Sequence, residues 1–304
     1  MSAAELVIVG AGPAGVSAAL WAKSLHLEPV LLESGDGPGG QLLHVYFEPR
    51  EIAGSLPGDG PTLASAYRAQ LAKGGVTVRY GVEVAALERA SAPVLTLRGG
   101  ERLEARALLV ATGARRRRLE VPGERALEGR GVSFSATHDR ATLAGRTVVV
   151  VGGGDAAAEN ALILAAAGCT VTIAVRDRLR ARAEFRERVA RESRVRVLER
   201  TRVVAVCGED RVTGVRLADG NGERYVACEG VVVKVGVVPN TEWCRGALPH
   251  DDAGYLRVDD SLASPAPGVW AAGDVVRPLL MGVSVALGHG ALAAAAIRRA
   301  LRGA

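Results

Sequence analysis

Leu6-Val7-Ile8-Val9-Gly10-Ala11-Gly12-Pro13-Ala14-Gly15 leads into an Ala/Leu-rich stretch ending near His26, and then into Val30-Leu31-Leu32-Glu33. Leu6 to Val9 is an unbroken apolar run, as in a parallel strand covered on both faces. Gly10, Gly12 and Gly15 follow as G-x-G-x-x-G. The first glycine permits a tight turn, the second lets a pyrophosphate approach the backbone, and the third lets a helix lie close to the strand. The helix expected from about Pro13 to His26 points its N-terminal N–H groups and positive dipole end at that pyrophosphate. Proline is tolerated in its first turn. Glu33 closes the next strand about 20 residues past the glycines, where an acid accepts hydrogen bonds from an adenosine ribose. Strand, glycines, helix, strand and acid in register point to a dinucleotide-binding unit.

The pattern returns about 140 residues later. Thr147 to Val151 reads as a strand, Gly152-Gly153-Gly154-Asp155-Ala156-Ala157 as the turn, about Ala156 to Ala167 as the helix, and Thr170 to Val175 as the next strand. The glycines form G-x-G-x-x-A, with Ala157 in the close-packing place. Two such units imply two dinucleotide sites. Arg176, Asp177, Arg178, Arg180 and Arg182 follow the second unit's second strand. An arginine there pairs with an adenosine 2′-phosphate, whereas an acid favours the bare ribose, so Arg176 and Asp177 pull in opposite directions. A solvated Arg/Glu helix over about Leu179 to Glu192 is the alternative use for these charges.

With 304 residues, nearly half of them apolar, the chain is long enough for two domains with substantial cores. The net charge is +5, and Lys23, Lys73 and Lys234 are the only lysines among 38 basic residues. That arginine bias reads as composition, and no nucleic-acid partner is expected. Arg115 to Arg118 is the densest basic stretch; it reads as a solvated interdomain linker or as a binder of phosphate or an acidic partner. Cys169, Cys207, Cys228 and Cys244 form no C-x-x-C pair and no metal-ligand cluster, as expected in a reducing cytoplasm. A strand begins within a few residues of the N-terminus, leaving no room for a signal peptide. No apolar run reaches the roughly 18 to 20 residues that span a bilayer.

Between the units lie a glycine-rich loop, Gly35 to Leu42, and a helical stretch, Thr62 to Lys73, stopped by Gly74-Gly75. Short strands follow at Val76–Tyr80, Val82–Leu87, Val94–Leu97 and Leu103–Ala105, then a buried strand at Ala107–Val110 leading into Ala111-Thr112-Gly113. Arg115 to about Leu143 reads as loop. After the second unit come strands at Val195–Leu198, Val203–Cys207, Val212–Leu217, Arg224–Ala227 and Val231–Val235. A closing helix is expected from about Gly288 to Leu301.

Gly10-Ala11-Gly12-Pro13-Ala14-Gly15, Gly39-Gly40-Gln41-Leu42, Ala111-Thr112-Gly113, Gly152-Gly153-Gly154-Asp155, Gly236-x-x-Pro239-Asn240 and Ala272-Gly273-Asp274, in this order, resemble the thioredoxin reductase-like flavoproteins over essentially the whole chain. The resemblance implies an α/β fold of two three-layer Rossmann-like domains, with a NAD(P) domain (117–241) inserted into a discontinuous FAD domain (1–116 and 242–304). It implies that FAD is held by Gly10, Gly12, Pro13, Ala14, Gly15, Glu33, Gly40, Gln41, Val84, Ala111, Thr112, Gly113, Gly273, Asp274 and Val283. NADPH or NADH would be held by Gly152, Gly154, Asp155, Ala156, Arg176 and Gly236. It also implies a cytoplasmic homodimer.

Where such reductases carry a redox-active Cys-Ala-Thr-Cys-Asp, this chain reads Ser135-Ala136-Thr137-His138-Asp139. A hydroxyl and an imidazole cannot exchange thiols. Met281-Gly282-Val283 stands for the family's Arg-Gln-Ala, and Val175-Arg176-Asp177 for its phosphate-binding His-Arg-Arg. The expected activity is therefore electron transfer from NAD(P)H through FAD to an acceptor other than an internal disulfide, a small molecule or a protein. Ferredoxin/flavodoxin–NADP reductase is one alternative, suggested by Gly39 to Leu42, by Tyr46-Phe47-Glu48-Pro49 … Gly54 and by the arginine-rich surface. A pyridine-nucleotide-independent or non-catalytic FAD-binding protein is another. His138 and Asp139 are the candidate proton-transfer residues; a polar surface loop is the other reading of this stretch.

Overall fold

The computed structural model describes residues 3–49, 52–53, 58–89 and 92–303. Gly54, singled out above, lies outside the described residues. The chain forms two compact units: Met1–Arg115 with Val238–Ala304, and Arg116–Val237.

The first unit begins with β1 (Ala4–Val9), α1 (Pro13–Ser24), β2 (Pro29–Leu32), α2 (Gly60–Lys73) and β3 (Thr77–Arg79). It continues with β4 (Val84–Arg89), β5 (Pro93–Leu97), β6 (Arg102–Val110) and β7 (Ala114–Arg116), the last running into the second unit. The second unit holds β8 (Val132–Ser133), α3 (Ala136–Leu143), β9 (Thr147–Val151), α4 (Asp155–Ala166), β10 (Thr170–Ala174) and α5 (Ala183–Arg191). Then come β11 (Val195–Leu198), β12 (Arg202–Gly208), β13 (Val212–Asp219), β14 (Gly222–Ala227), β15 (Gly230–Val233) and β16 (Val237–Pro239). The chain re-enters the first unit through β16 and ends with β17 (Val269–Ala271) and α6 (Val283–Arg302).

In the first unit β3, β2, β1, β6 and β17 lie side by side and parallel. β6 does two jobs. Its start pairs antiparallel with β5, and Ala105 to Val110 pair with β1, so the two strands expected at Leu103–Ala105 and Ala107–Val110 are one. Alternation along β1 sorts the core, because successive side chains face opposite sides. Leu6 and Ile8 pack toward α1, α2 and α6, while Val7 and Val9 pack with Leu108, Val110 and Leu95.

The second unit repeats the plan with strand order β11-β10-β9-β15-β8, all parallel. Val148 and Val150 pack with residues of α3 and α4; Val149 and Val151 pack with Val215 and Leu217 of the antiparallel β12–β14 sheet. All four are fully or nearly fully buried, and truncating one to alanine would cost about 1–3 kcal/mol.

Several expected boundaries are corrected. Arg115 to Leu143 is not all loop: it contains β7, β8 and α3. The Arg/Glu helix starts at Ala183, because Arg176 to Arg182 fold back over the glycine turn instead. The closing helix starts at Val283 rather than near Gly288, and Gly290 lies inside it because α6 crosses α1 there: a Cβ on Gly290 would stand 2.2 Å from the Ala14 carbonyl oxygen. The second boundary between units falls after Val237 rather than after Thr241, since Asn240 is hydrogen-bonded to Thr112 and Gly113.

Candidate functional site

In the first unit strand order reverses between β1 and β6, and open α/β sheets bind ligands at the carboxyl ends of the strands at such a switch point. Gly10 turns out of β1 with φ +101°, a conformation L side chains rarely adopt, and a Cβ there would lie 2.5 Å from the Ala111 carbonyl oxygen. A Cβ on Gly15 would lie 1.9 Å from the Gly10 carbonyl oxygen, so α1 is clamped onto the turn. Gly12 differs, because a Cβ there meets nothing within 4 Å. It is the N-cap of α1 and supplies no side-chain cap, so amides of the first turn face that open space. The space and the amides fit a pyrophosphate.

Glu33 accepts from the Ala11 amide at 2.7 Å through one carboxylate oxygen and from the Gly35 amide at 2.8 Å through the other. The acid that sequence places at the ribose also braces the glycine turn. Residues 40–44 form a short 3-10 helix lying against this turn: the Gly39 amide donates to the Ala11 carbonyl, and a Cβ on Gly40 would lie 3.3 Å from the Gly12 Cα. Thr112 donates through its hydroxyl to the Asn240 carbonyl, which fixes Ala111-Thr112-Gly113 at the end of β6. Gln41 donates to Asp274 Oδ2 at 2.9 Å, bringing together two expected FAD contacts 233 residues apart. Burial raises the Asp274 carboxyl above the usual range, against the pull of Gln41 and His289. Gly273 packs against Ala14, and Val283 is the first residue of α6 after an uncapped Gly282. Val84 is buried in the layer beneath β1 and β6, among Leu97 and Val110.

His289 of α6 belongs to this cluster and was missed in the sequence. Its Nδ1 accepts from the Gly273 amide at 3.3 Å, and burial lowers its pKa below the ordinary histidine value, partly offset by Asp274. Nothing in Gly288-His289-Gly290 marks this role in the sequence.

The second unit has the equivalent switch point between β9 and β15. Gly152 has φ +140°, and Gly154, the uncapped N-cap of α4, has open space where a Cβ would stand. The Arg180 amide donates to the Gly153 carbonyl at 2.7 Å, which folds the arginine-rich stretch across the turn. Asp155 holds this stretch down: its carboxylate accepts from the Arg182 amide at 2.7 Å and from Arg182 Nε at 2.6 Å, and these bonds lower its pKa. Asp155 is thus engaged with the protein, while Ala156 and Arg176 are exposed. Gly236 turns with φ +92° and accepts from the Arg117 amide. Arg115 and Arg118 pair with Glu242 and Glu128, and the Arg115 side chain stays about half exposed.

Ser135 to Asp139 is the first turn of α3, not a surface loop. Ser135 is its N-cap and accepts from the His138 amide. The Ala136 amide, which has no partner within the helix, donates to Asn160 Oδ1 of α4 at 2.8 Å. Asp139 bridges two partners: Oδ2 accepts a short bond from the Ser133 hydroxyl, and Oδ1 meets His138 Nδ1 at 2.7 Å. With Nδ1 donating to the carboxylate, the neutral ring carries its basic lone pair on Nε2. The imidazole is about half exposed.

All four cysteines are free thiols. Burial pushes Cys228 and Cys244 up to about 12, and buried Cys169 donates to the Leu143 carbonyl, so none of these three is a ready nucleophile. Cys207 on β12 is partly exposed. Among the described residues no group of His, Cys, Asp and Glu is arranged to hold a metal, and no helix is long and apolar enough to cross a membrane.

Residues 4–290 match the pyridine nucleotide-disulphide oxidoreductase family. The chain is 34% identical over 294 residues to the thioredoxin reductase of Listeria monocytogenes, covering 95% of this chain and 91% of that one. It is 36% identical over 295 residues to the thioredoxin reductase of Streptomyces clavuligerus, with the same coverage. The thioredoxin reductase structure from Lactococcus lactis superposes with a TM-score of 0.84 at 29% identity, over 98% of this chain and 99% of that one.

Proposed function

We propose, from the premise that this chain belongs to the pyridine nucleotide-disulphide oxidoreductase family and is an FAD-dependent NAD(P)H oxidoreductase, that it passes electrons through FAD to an acceptor outside its own fold and not to an internal dithiol. The main support is the first turn of α3. There the family's dithiol segment is replaced by an N-capping serine and a histidine held by Asp139. The cysteines elsewhere do not offer a substitute, three being buried and the fourth lying on β12.

FAD, when bound, accepts the hydride of a reduced nicotinamide and hands the electrons on. The first unit holds it through the Gly12 turn, Glu33, Thr112 and Asp274, and the second holds the nicotinamide nucleotide at the Gly152–Gly154 turn. His138 moves a proton. Its ring is fixed by Asp139, and Nε2 is the site that gains or loses the proton as the acceptor is reduced. The acceptor is a ferredoxin, a flavodoxin or a small molecule, and the protein works in the cytoplasm as a homodimer. Exposed Trp21 on α1 and Leu292 on α6 support assembly of two copies.

Steady-state oxidation of NADPH and NADH by FAD-loaded protein tests this, with ferricyanide and oxidised thioredoxin offered separately. Turnover with ferricyanide and none with thioredoxin is expected. Thioredoxin reduction at a rate matching ferricyanide would overturn the proposal.

A further inference from the structure

Lys234 is the residue whose chemistry the mechanism above leaves unused. The two units give it a precise counterpart. At the end of β6 the Ala111 amide donates to the Val9 carbonyl at 2.8 Å, and at the end of β15 the Lys234 amide donates to the Val151 carbonyl at 2.8 Å. A Cβ on Gly10 would collide with the Ala111 carbonyl oxygen at 2.5 Å, and one on Gly152 with the Lys234 carbonyl oxygen at 2.1 Å. Both stretches then reach a glycine at positive φ, Gly113 in Ala111-Thr112-Gly113 and Gly236 in Lys234-Val235-Gly236. The position flanking the glycine turn, alanine in the first unit, is an amine on a four-carbon stem in the second.

Strand alternation sets the direction of that stem. Val231 and Val233 face the β12–β14 sheet, and Val232 faces α3 and α4, which puts Lys234 on the helix side. Its ammonium feels Glu159 of α4 and Arg116, both within the same unit. In a chain that otherwise uses arginine almost throughout, Lys23 pairs with Glu28 at the surface and Lys73 is exposed, while Lys234 is largely withdrawn from water. Burial and Arg116 lower it to about 8, so most molecules carry the charge near neutrality. A cation kept there against desolvation and a neighbouring guanidinium is placed for an anion. In a parallel sheet of this order the adenosine half of a dinucleotide runs from the glycine turn toward β10, and the other half runs toward β15.

We propose that Lys234 binds the 5′-phosphate of the nicotinamide mononucleotide half of the bound dinucleotide. This rests on the reading of the second unit as a pyridine-nucleotide site. The lysine acts as a point charge on the phosphate, as lysine does where arginine's bidentate fork is not needed.

Calorimetric titration of FAD-loaded wild-type and Lys234→Met protein with NADP⁺, NAD⁺, ADP-ribose and 5′-AMP tests it. Methionine keeps the stem and removes only the charge. The variant should bind the dinucleotides and ADP-ribose about tenfold more weakly, and 5′-AMP within about twofold of wild type. Equal binding of the dinucleotides by both proteins would overturn the role of Lys234 while leaving the nucleotide site in place. Weakening of 5′-AMP by the same factor would also overturn it, since the lysine would then merely support the fold. If the wild type bound neither NADP⁺ nor NAD⁺, the site itself would be refuted, and the proposal with it.

Discussion

The Ala11 amide donates to the Glu33 carboxylate at 2.7 Å, joining the middle of the glycine turn to the acid at the end of the next strand. The same carboxylate also accepts from the Gly35 amide. Glu33 therefore shapes the turn before any ribose reaches it. Replacing it with alanine should weaken FAD retention in two ways, by loss of a ribose contact and by loosening Ala11. Glu33→Gln, which keeps an acceptor for the amide, should retain more flavin than Glu33→Ala. Flavin absorbance per protein after gel filtration measures this, and equal retention would remove the bracing role.

Gly12 makes a sharper case. The space in front of it is open, so Gly12→Val should fold but occupy the volume the pyrophosphate needs. The variant should purify colourless with an unchanged far-ultraviolet circular dichroism spectrum. A yellow variant with stoichiometric FAD would count against the first unit as the FAD site.

Asp139 is a positioning residue for His138, through the 2.7 Å contact to Nδ1. Asp139→Asn preserves size but offers the ring an amide in place of a carboxylate. Acceptor reduction should fall by about a hundredfold, within the range general acid–base catalysis supplies, while bleaching of the flavin by NAD(P)H is little changed. The two half-reactions are separable by stopped flow. Equal losses in both would point to damage of the α3 turn and not to proton transfer.

Arg176 stands exposed just beyond β10, next to Asp177. If it meets a 2′-phosphate, Arg176→Ala should raise KM for NADPH by about tenfold and leave KM for NADH nearly unchanged. Equal changes for both coenzymes would take the phosphate role away from it.

Lys234 also makes a stability prediction. Its native pKa, about 8, lies below the unfolded value near 10.4. Below about pH 8 both states are protonated and the cost of burying the ammonium is fully present. Between about pH 8 and pH 10.4 the native state binds fewer protons than the unfolded state, so that cost is relieved as pH rises. Lys234→Met should therefore be more stable than wild type near pH 7, by about 3 kcal/mol, with the gap closing toward about pH 10. Urea midpoints at three pH values measure it; a gap that stays constant with pH would contradict the burial of a charged amine.

Both dinucleotide units were legible because their signals are local. Apolar strand, glycine turn, helix and second strand follow one another within thirty-odd residues, and each glycine has its own steric task. The turn of α3 was not legible. Ser135-Ala136-Thr137-His138-Asp139 has no apolar period, and what makes it helical is tertiary: Asn160 accepts from the Ala136 amide, and the Ser133 hydroxyl donates to Asp139. The expected start of α6, near Gly288, lies five residues past its actual start at Val283. Gly290 is there for the close crossing with Ala14, a contact 276 residues away in sequence that no window along the chain reveals. His289 and Lys234 carried no pattern at all. They become visible once β15 is set beside β9, and α6 beside Gly273.

Anaerobic reductive titration of the FAD-loaded protein, first with NADPH and then with NADH, tests the central claim most directly. With no internal dithiol to fill, the visible flavin band should bleach completely at about one equivalent of the preferred nucleotide per FAD. Uptake of about two equivalents would reveal a second two-electron centre within the chain and contradict the account, as would a flavin that neither nucleotide bleaches.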